Sequence, residues 1–452
     1  MKFRSLAALA VVLAMTIMPE LCLAASGAPP PTIINMPHIY LTLGILAVAA
    51  VLFFTEAIPL AVTAILVPCA LSSFGIITVK EAWVSFGDTS ILTIVGLFML
   101  GEATFATGFA QRSAAWVISR AGASETRLLV VAIAMIGIMS AFLNNAGVTA
   151  ITLPMLISIA RKAHLSPSRI LLPTAYAASI RCTITLVGTS PHMVANTIIN
   201  KMAPGVPNFS FFEFAWYGLP FLVVCIVLYT VFSRWLIPGS RADTAEEVHE
   251  EDIPHTPKMY VAGAIFFLVI VAMATGFIPL TSAAMLGAMC CILTRCMTMD
   301  QAFKAVDWTT IYLFAGMLSM SFAMDKTGAA KVLADNIIVY VSDPMAILAI
   351  TCLITSLVTN VMSNTATTAI MVPLVIPLAL DLGFSPLPFV MGVCASASAC
   401  FMTPIATPSN TLVLKAGNYT FFDYVKYGWF LQLVAFAMVM LIVPRVWPFI
   451  LN

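Results

Sequence analysis

Apolar stretches recur along the chain from residue 38 to the C-terminus, and polar residues are confined to short segments between them. Many of these stretches approach the ~20 consecutive apolar residues that a helix needs to cross a bilayer. The one long polar segment between them, at 239–257, is acidic and is interpreted as a solvated cytoplasmic linker. The pattern predicts an all-α polytopic membrane protein.

The first 24 residues fit either a signal peptide or a first transmembrane span. Lys2 and Arg4 precede an apolar run from Leu6 to Met18, and Cys22-Leu23-Ala24 offers a small-residue cleavage site. Both interpretations place residue 30 outside the cytoplasm. The predicted topology of the remaining chain therefore does not depend on the choice.

The chain also repeats itself at an offset of about 220 residues that drifts slightly downward. The repeated landmarks occur in the same order in both halves: Ile58-Pro59-Leu60 and Ile278-Pro279-Leu280, Thr107-Gly108 and Thr327-Gly328, Asn145 with Pro154 and Asn364 with Pro373, Thr189-Ser190-Pro191 and Ala406-Thr407-Pro408, Phe211-Phe212-Glu213 and Phe421-Phe422-Asp423. We therefore predict two repeats, 37–238 and 258–449. Each has three apolar spans, a hairpin, an interrupted span and a final span.

Five crossings per repeat, an odd number, would make the second repeat inverted relative to the first. With the linker in the cytoplasm, the positive-inside rule is obeyed by thirteen Lys and Arg residues against five. The inside set is Arg112, Arg120, Arg127, Arg161, Lys162, Arg169, Arg234, Arg241, Lys258, Arg295, Lys304, Lys415 and Lys426, and the outside set is Lys80, Lys201, Lys326, Lys331 and Arg445. The expected location is a bacterial-type inner membrane.

Composition excludes several classes of function. With 61% hydrophobic and 9% charged residues, the chain cannot present a water-soluble surface, and a net charge of +1 argues against nucleic acid as a partner. The ten cysteines form no CxxC pair, the five histidines have no metal-ligand spacing, and no GxxxxGK[ST] motif occurs. These absences argue against an enzyme and against an ATP-driven pump.

Two polar tips interrupt apolar hairpins, near 127–162 and 343–380. The first tip is Asn144-Asn145 and the second is Ser363-Asn364-Thr365. Arms estimated at roughly 12–15 residues would be too short to cross the membrane twice, so we predict re-entrant hairpins covered by protein or water. The first would face the cytoplasm and the second the periplasm.

Two further interruptions break a span in each half. They are Gly188-Thr189-Ser190-Pro191 and Ala406-Thr407-Pro408. Proline breaks a helix because it lacks a donor and clashes with the preceding turn. The freed helix N-termini suit an anion, and freed carbonyl oxygens suit a small cation such as Na+. The symmetry-related pairs favour a binding site near the membrane midplane.

With these motifs the chain resembles the divalent anion:sodium symporter family of the ion transporter superfamily. The resemblance extends from about residue 37 to the end and is carried best by Ser363-Asn364-Thr365 and Ala406-Thr407-Pro408. It implies an elevator-type homodimer in lipid, with scaffold and transport domains, that carries C4-dicarboxylates, citrate or sulfate with Na+. The implied substrate ligands are Asn144, Asn145, Thr189, Ser363, Asn364, Thr365, Thr407 and Pro408, and the implied Na+ ligands are Asn145, Gly188, Thr359, Asn364 and Ala406.

The first half departs from this family pattern. Its tip has Asn144 and Ala146 in place of Ser and Thr, and His192 stands where Asn is common. Arg181 lies about 16 Å into a span that starts near Ile170, where an ionisable residue is costly and by default functional. We hypothesise that Arg181, with or without His192, binds the substrate anion or replaces one Na+; a structural arginine is the alternative.

Several alternatives remain open at this point. The chain can be a sodium-coupled symporter, an anion exchanger with reduced sodium coupling, or another carrier of the superfamily for arsenite, citrate–metal or Na+/H+. A transceptor that binds the anion without moving it is a further class. The segments after Gln111 and after Lys326 are interpreted either as helices along the membrane interface or as loops, and a proton relay through Glu56, Glu102 or Asp325 is a weaker hypothesis.

Overall fold

The computed structural model describes residues 36–120, 124–143, 145–162, 164–181, 183–232, 236, 257–332 and 343–450. The side chains at 145, 146, 162 and 181 lie outside that description, as do the predicted leader at 1–24 and nearly all of the linker at 239–257. The described residues are helical and form no strand beyond an isolated bridge between Phe384 and Ile450. The predicted all-α class is therefore confirmed.

The first half of the described chain contains ten α-helices. They are α1 (Met36–Thr55), α2 (Leu60–Ser73), α3 (Val79–Val84), α4 (Thr89–Ala106), α5 (Phe109–Ile118), α6 (Glu125–Ser140), α7 (Asn145–Lys162), α8 (Leu171–Arg181), α9 (Ser190–Met202) and α10 (Ala215–Val231). Short 3-10 turns at Ser85–Gly87 and Pro167–Arg169 precede α4 and α8. The segment after Gln111 is thus helical, and Ala110, Ala114 and Ile118 form its buried face.

The second half repeats this order in its described residues. Its helices are α11 (Lys258–Thr275), α12 (Leu280–Leu293), α13 (Met299–Ala305), α14 (Trp308–Thr327), α15 (Pro344–Thr359), α16 (Asn364–Asp381), α17 (Leu387–Ser398), α18 (Pro408–Ala416) and α19 (Phe421–Val446). Most of the segment after Lys326 that would match α5 falls at 333–342, outside the described residues. Equivalent local signals recur: Thr78 and Thr298 form capping boxes, and Asp88 and Asp307 cap α4 and α14.

Five stretches of the described chain are long and apolar enough to cross a membrane. They are Met36–Thr55, Val79–Ala106, Lys258–Thr275, Asn364–Asp381 and Phe421–Val446. Many large apolar side chains on them are exposed, such as Phe54, Phe267 and Leu433. Exposed apolar belts of this kind suit lipid, and the protein is a multi-pass membrane protein.

The two halves pack on each other reciprocally. Helix α4 packs on α12 and α14 packs on α2. Both contacts are close enough to require glycine, since a Cβ on Gly316 would lie 2.1 Å from the Ala64 carbonyl oxygen and one on Gly96 would lie 2.9 Å from the Ala284 carbonyl carbon. In both helix crossings a glycine of one helix therefore packs against an alanine of the other.

The hairpin arms are longer than the roughly 12–15 residues expected from the sequence. Helices α6 and α15 have 16 residues, and α7 and α16 have 18. At 1.5 Å per residue these arms measure about 24–27 Å, close to the thickness of a bilayer core. The estimate was wrong because polar residues near each tip, such as Thr359, continue the helix. Arm length alone therefore does not establish re-entry.

Candidate functional site

The second hairpin tip is built as a helix N-terminus. Ser363 is the N-cap of α16, and its hydroxyl accepts a hydrogen bond from the Ala366 N–H at 3.2 Å. The last residue of the preceding arm, Thr359, is fully buried, and its hydroxyl lies 2.9 Å from Asn364 Oδ1 and 2.6 Å from the Ala397 carbonyl oxygen. Thr359, at the end of one hairpin arm, thus contacts Asn364, at the start of the other arm, through its hydroxyl oxygen.

This tip is fastened to the second broken helix. Asn360 Oδ1 accepts a hydrogen bond from the Met402 N–H at 2.9 Å, and the Asn360 carbonyl accepts one from the Thr403 hydroxyl. Asn364 Nδ2 also lies 3.6 Å from the Cys400 sulfur. Hairpin tip and helix break therefore form one hydrogen-bonded unit, which fixes the relative position of their polar groups.

The second break lies between α17 and α18. Thr407 is extended (φ −138°, ψ 145°), and Pro408 opens α18 at a position where its missing N–H costs nothing. Two oxygens in this region, Thr407 Oγ1 and Asn410 Oδ1, are buried without a hydrogen-bond partner in the described part of the chain. Such atoms are uncommon in proteins and are expected to meet a ligand, an ion or water.

The first break has the same backbone but different side chains. Thr189 is extended (φ −150°, ψ 146°) and occupies the N-cap position of α9, as Thr407 does for α18. His192, the counterpart of Asn410, is fully buried, stacks on Phe214 at 3.8 Å, and has Nδ1 3.0 Å from the Thr185 carbonyl. Since burying a charge without a partner is costly, this setting favours a structural role for His192 over the hypothesised positive charge.

The first hairpin tip is only partly described. Asn145 begins α7, as Asn364 begins α16, while Asn144 and the side chain of Asn145 lie outside the described residues. The arm that precedes the tip is joined to the first break, because the Thr185 hydroxyl donates to the Ala141 carbonyl. A tip-to-break connection thus occurs in both halves.

Both breaks and the second tip line one cavity of about 360 Å³. The breaks and the second tip contribute Gly188, Thr189, Ser190, Ser363, Asn364, Thr365, Ala406, Thr407 and Pro408 to its wall, and α14 contributes Thr309 and Thr310. Its apolar wall includes Phe98, Phe142 and Leu313. The size is at the small end of ligand-binding cavities and suits a small solute.

The fixed charge around this cavity is negative. The charged side chains among its described lining residues are Glu56 and Asp307, both acidic. Favourable interactions for an anion come instead from the helix N-termini of α9, α16 and α18, which converge on the cavity with their positive dipole ends. A bound cation would offset the two carboxylates.

Eight of the residues selected from the sequence line the same cavity: Gly188, Thr189, Ser363, Asn364, Thr365, Ala406, Thr407 and Pro408. The Thr359 hydroxyl contacts Asn364 Oδ1. Arg181 is the last residue of α8, the position that Ser398 occupies in α17, and its side chain is outside the described residues.

Among the residues of this site that were missed in the sequence are two buried or part-buried amides. Asn360 joins the tip to the break, and Gln432 of α19 donates hydrogen bonds to Ser356 and to the Ala399 carbonyl. Both are single amides in apolar runs, which was the available signal. An amide placed inside a membrane helix is costly unless it is hydrogen-bonded, so each is expected to have a specific partner.

Comparison with known proteins now identifies the family. A model described as a citrate transporter matches residues 50–376 and 323–449. The chain belongs to the citrate transporter family. Membership makes it a transporter and not an enzyme, and it confirms the resemblance to divalent anion:sodium symporters of the ion transporter superfamily.

Individual relatives of this chain are also named as transporters. An uncharacterised transporter of Escherichia coli (strain K12), YfbS, is 24% identical, with 90% of this chain and 99% of the relative covered. The sodium-dependent dicarboxylate transporter SdcS of Staphylococcus aureus (strain bovine RF122 / ET3-1) is 24% identical, with 88% and 84% covered. Among solved structures, the Alcanivorax borkumensis YdaH transporter matches with a TM-score of 0.62 at 14% identity, covering 91% of this chain and 98% of that one. This last likeness concerns the fold alone.

Proposed function

We propose that this protein is a secondary active transporter of a small dianion, a C4-dicarboxylate, citrate or sulfate, coupled to Na+ in a bacterial inner membrane. The supporting observation is the cavity of about 360 Å³ in which Ser363, Asn364 and Thr365 meet Thr189 and Thr407. Hydroxyls and amides bind a carboxylate or sulfate reversibly, without the strong attraction of a fixed cation. A carrier must release its substrate, and this wall suits that requirement.

For a sodium site in the second half, the chain offers the oxygen ligands that this ion prefers. Na+ is a hard cation that binds oxygen. Thr359 Oγ1 lies 2.9 Å from Asn364 Oδ1, and both Asn364 and Ala406 line the cavity. We assign these three residues to one Na+, and Asn145 with Gly188 to a second in the first half. A bound Na+ supplies positive charge next to the substrate carboxylate, which the cavity's own charged residues, Glu56 and Asp307, do not.

The order of elements supports two inverted repeats, 37–238 and 258–449, joined by a linker at 239–257. Helix α4 packs on α12 as α14 packs on α2, with Gly96 and Gly316 in equivalent places. We propose that α1, α2, α4 and their counterparts form a scaffold, and that the hairpins at 127–162 and 343–380 and the broken helices form an elevator-type transport domain. The exposed apolar side chains of α11, such as Tyr260 and Phe267, would face lipid or the second copy of a homodimer.

A second candidate function is an anion exchanger with reduced sodium coupling. The observation that favours it is the position of Arg181 at the end of α8, where the other half has Ser398. A guanidinium at this point would bind the substrate anion or take the place of the Na+ near Gly188. Replacing Arg181 with Gly and measuring uptake against Na+ distinguishes the two functions, because a changed Na+ dependence favours the exchanger.

The substrate is tested by thermal stability and by flux. Succinate, citrate and sulfate are each added to the purified protein, with NaCl and with choline chloride, because a ligand that binds the folded state raises its apparent stability. The stabilising anion is then offered to proteoliposomes. Na+-dependent uptake supports the proposal, whereas stabilisation without flux would indicate a protein that binds the anion without moving it.

A further inference from the structure

One end of the described transport unit is held to the scaffold by polar contacts. Lys201, in the last turn of α9, places its Nζ 3.6 Å from Asp88 Oδ2 and 3.5 Å from Ser85 Oγ. One turn earlier, the Thr197 hydroxyl donates to Ser90 Oγ at 2.6 Å. Asp88 is the N-cap of α4, so α9 lies against the N-terminal end of a scaffold helix.

The same two charges exist at the equivalent end of the second half. Lys415 is the basic residue in the last turn of α18 and stands one residue before its end, as Lys201 does in α9. Asp307 is the N-cap of α14, as Asp88 is of α4. The number of residues between break and lysine differs, because α18 has 9 residues and α9 has 13.

Here, however, the two charges do not meet. Lys415 is exposed, and Asp307 lines the cavity together with Thr309 and Thr310. Helix α9 packs on α16 and α17 of the transport unit and also on α4 and α14, whereas α18 packs on α7 and α8 of the transport unit. Asp307 thus lines the cavity without its lysine partner, whereas Asp88 is already paired with Lys201.

We propose that Lys415 and Asp307 form the ion pair that closes this cavity in the opposite conformation of the carrier, while the Lys201–Asp88 contact opens. This proposal rests on the proposed inverted repeats and elevator-type transport domain. It identifies one ion pair that forms and one that breaks as the carrier changes conformation. Each state would then have one docked and one open charge pair. Because the two pairs have the same chemistry, neither end is permanently favoured, which suits a carrier that must visit both states.

The first test is a double-mutant cycle in transport. Asp307→Asn removes the charge but keeps a good N-cap, and Lys415→Gln removes the partner. Each single variant is expected to shift the uptake rate by about two- to fivefold, the effect of a partly exposed ion pair, and the double variant should be no worse than either. Lys426→Gln, an exposed lysine on α19 outside both pairs, is the matched control and should be unchanged. Independent, multiplying effects of the two variants would overturn the proposal.

The second test measures proximity and does not depend on flux. In a background without the ten native cysteines, Asp307→Cys with Lys415→Cys should form a disulfide under oxidation, and reduction should reverse it. Asp88→Cys with Lys201→Cys reports the contact already present. Cross-linking of the Asp88/Lys201 cysteine pair without any cross-linking of the Asp307/Lys415 cysteine pair would overturn the proposal. Failure of the native chain to take up any anion would instead count against the proposed function.

Discussion

The hydroxyl of Thr359 offers the sharpest test of the proposed sodium site in the second half of the chain, through the change Thr359→Val. Valine keeps the shape of threonine and removes only the polar atom. Thr359 is fully buried, and its hydroxyl lies between Asn364 Oδ1 at 2.9 Å and the Ala397 carbonyl at 2.6 Å. The substitution therefore deletes one proposed Na+ ligand and leaves the buried Ala397 carbonyl without this donor.

The magnitude follows from these contacts. In the Na+-bound state the ion loses one oxygen ligand, a loss that we set equal to the cost of leaving a buried polar group unsatisfied, about 1–3 kcal/mol. If that loss falls on the Na+-bound state, the Na+ concentration for half-maximal uptake rises roughly 5- to 150-fold, since 1.4 kcal/mol is a factor of ten. The maximal rate at saturating Na+ should change much less, because Ser363 and Thr365, which we assign to the substrate, are untouched.

Thr355→Val is the matched control for this variant. Thr355 lies one turn earlier on α15, is equally buried, and its hydroxyl donates to the Thr351 carbonyl at 2.7 Å. It thus undergoes the same change in volume and polarity without touching Asn364. The assay is initial uptake by proteoliposomes as Na+ is titrated against choline. An unchanged Na+ requirement in Thr359→Val, or the same shift in both variants, would refute the assignment.

Three further predictions concern helix packing, helix capping and the hydrogen bonds of a buried amide. Gly316→Ala should lower the free energy of unfolding by about 1–3 kcal/mol, because its Cβ would lie 2.1 Å from the Ala64 carbonyl oxygen. Gly44→Ala, whose Cβ would have nothing within 4 Å, is the control and should not lower it. Equal thermal melting curves for the two variants would contradict the close helix crossing. Ser363→Ala should cost about 1 kcal/mol of helix stability and weaken substrate-induced stabilisation, and undiminished stabilisation would remove Ser363 from the site. Gln432→Leu should slow uptake by loosening the second break, and a native rate would show that its hydrogen bonds are dispensable.

Much of the architecture was predictable because the bilayer limits the chain to a few structures. Apolar length sets the spans, and the recurrence of Ile58-Pro59-Leu60 as Ile278-Pro279-Leu280 marks equivalent helix starts, since α2 and α12 begin at Leu60 and Leu280. Proline in Ala406-Thr407-Pro408 likewise marked the break before α18. These features are local, and local chemistry can be read from the sequence.

Long-range contacts were less accessible. The pairing of Asn360 with Met402 and Thr403 depends on how two separate segments fold together, and no spacing rule predicts it. The equivalence of Lys415 with Lys201 was hidden because α18 is a turn shorter than α9, so a constant offset aligns Lys415 with Thr197. The lining of the cavity by Glu56 and Asp307 was also unexpected, since both lie at helix ends far apart in the chain.

The central claim is that a Na+ gradient drives a small dianion through this protein. The most direct measurement uses proteoliposomes with equal concentrations of the stabilising anion, from among succinate, citrate and sulfate, on both sides and NaCl outside only. The account predicts net accumulation of labelled anion inside the vesicles, and its loss when the Na+ gradient is collapsed. Equilibration without accumulation, unaffected by Na+, would contradict sodium coupling, and binding with no movement at all would contradict transport itself.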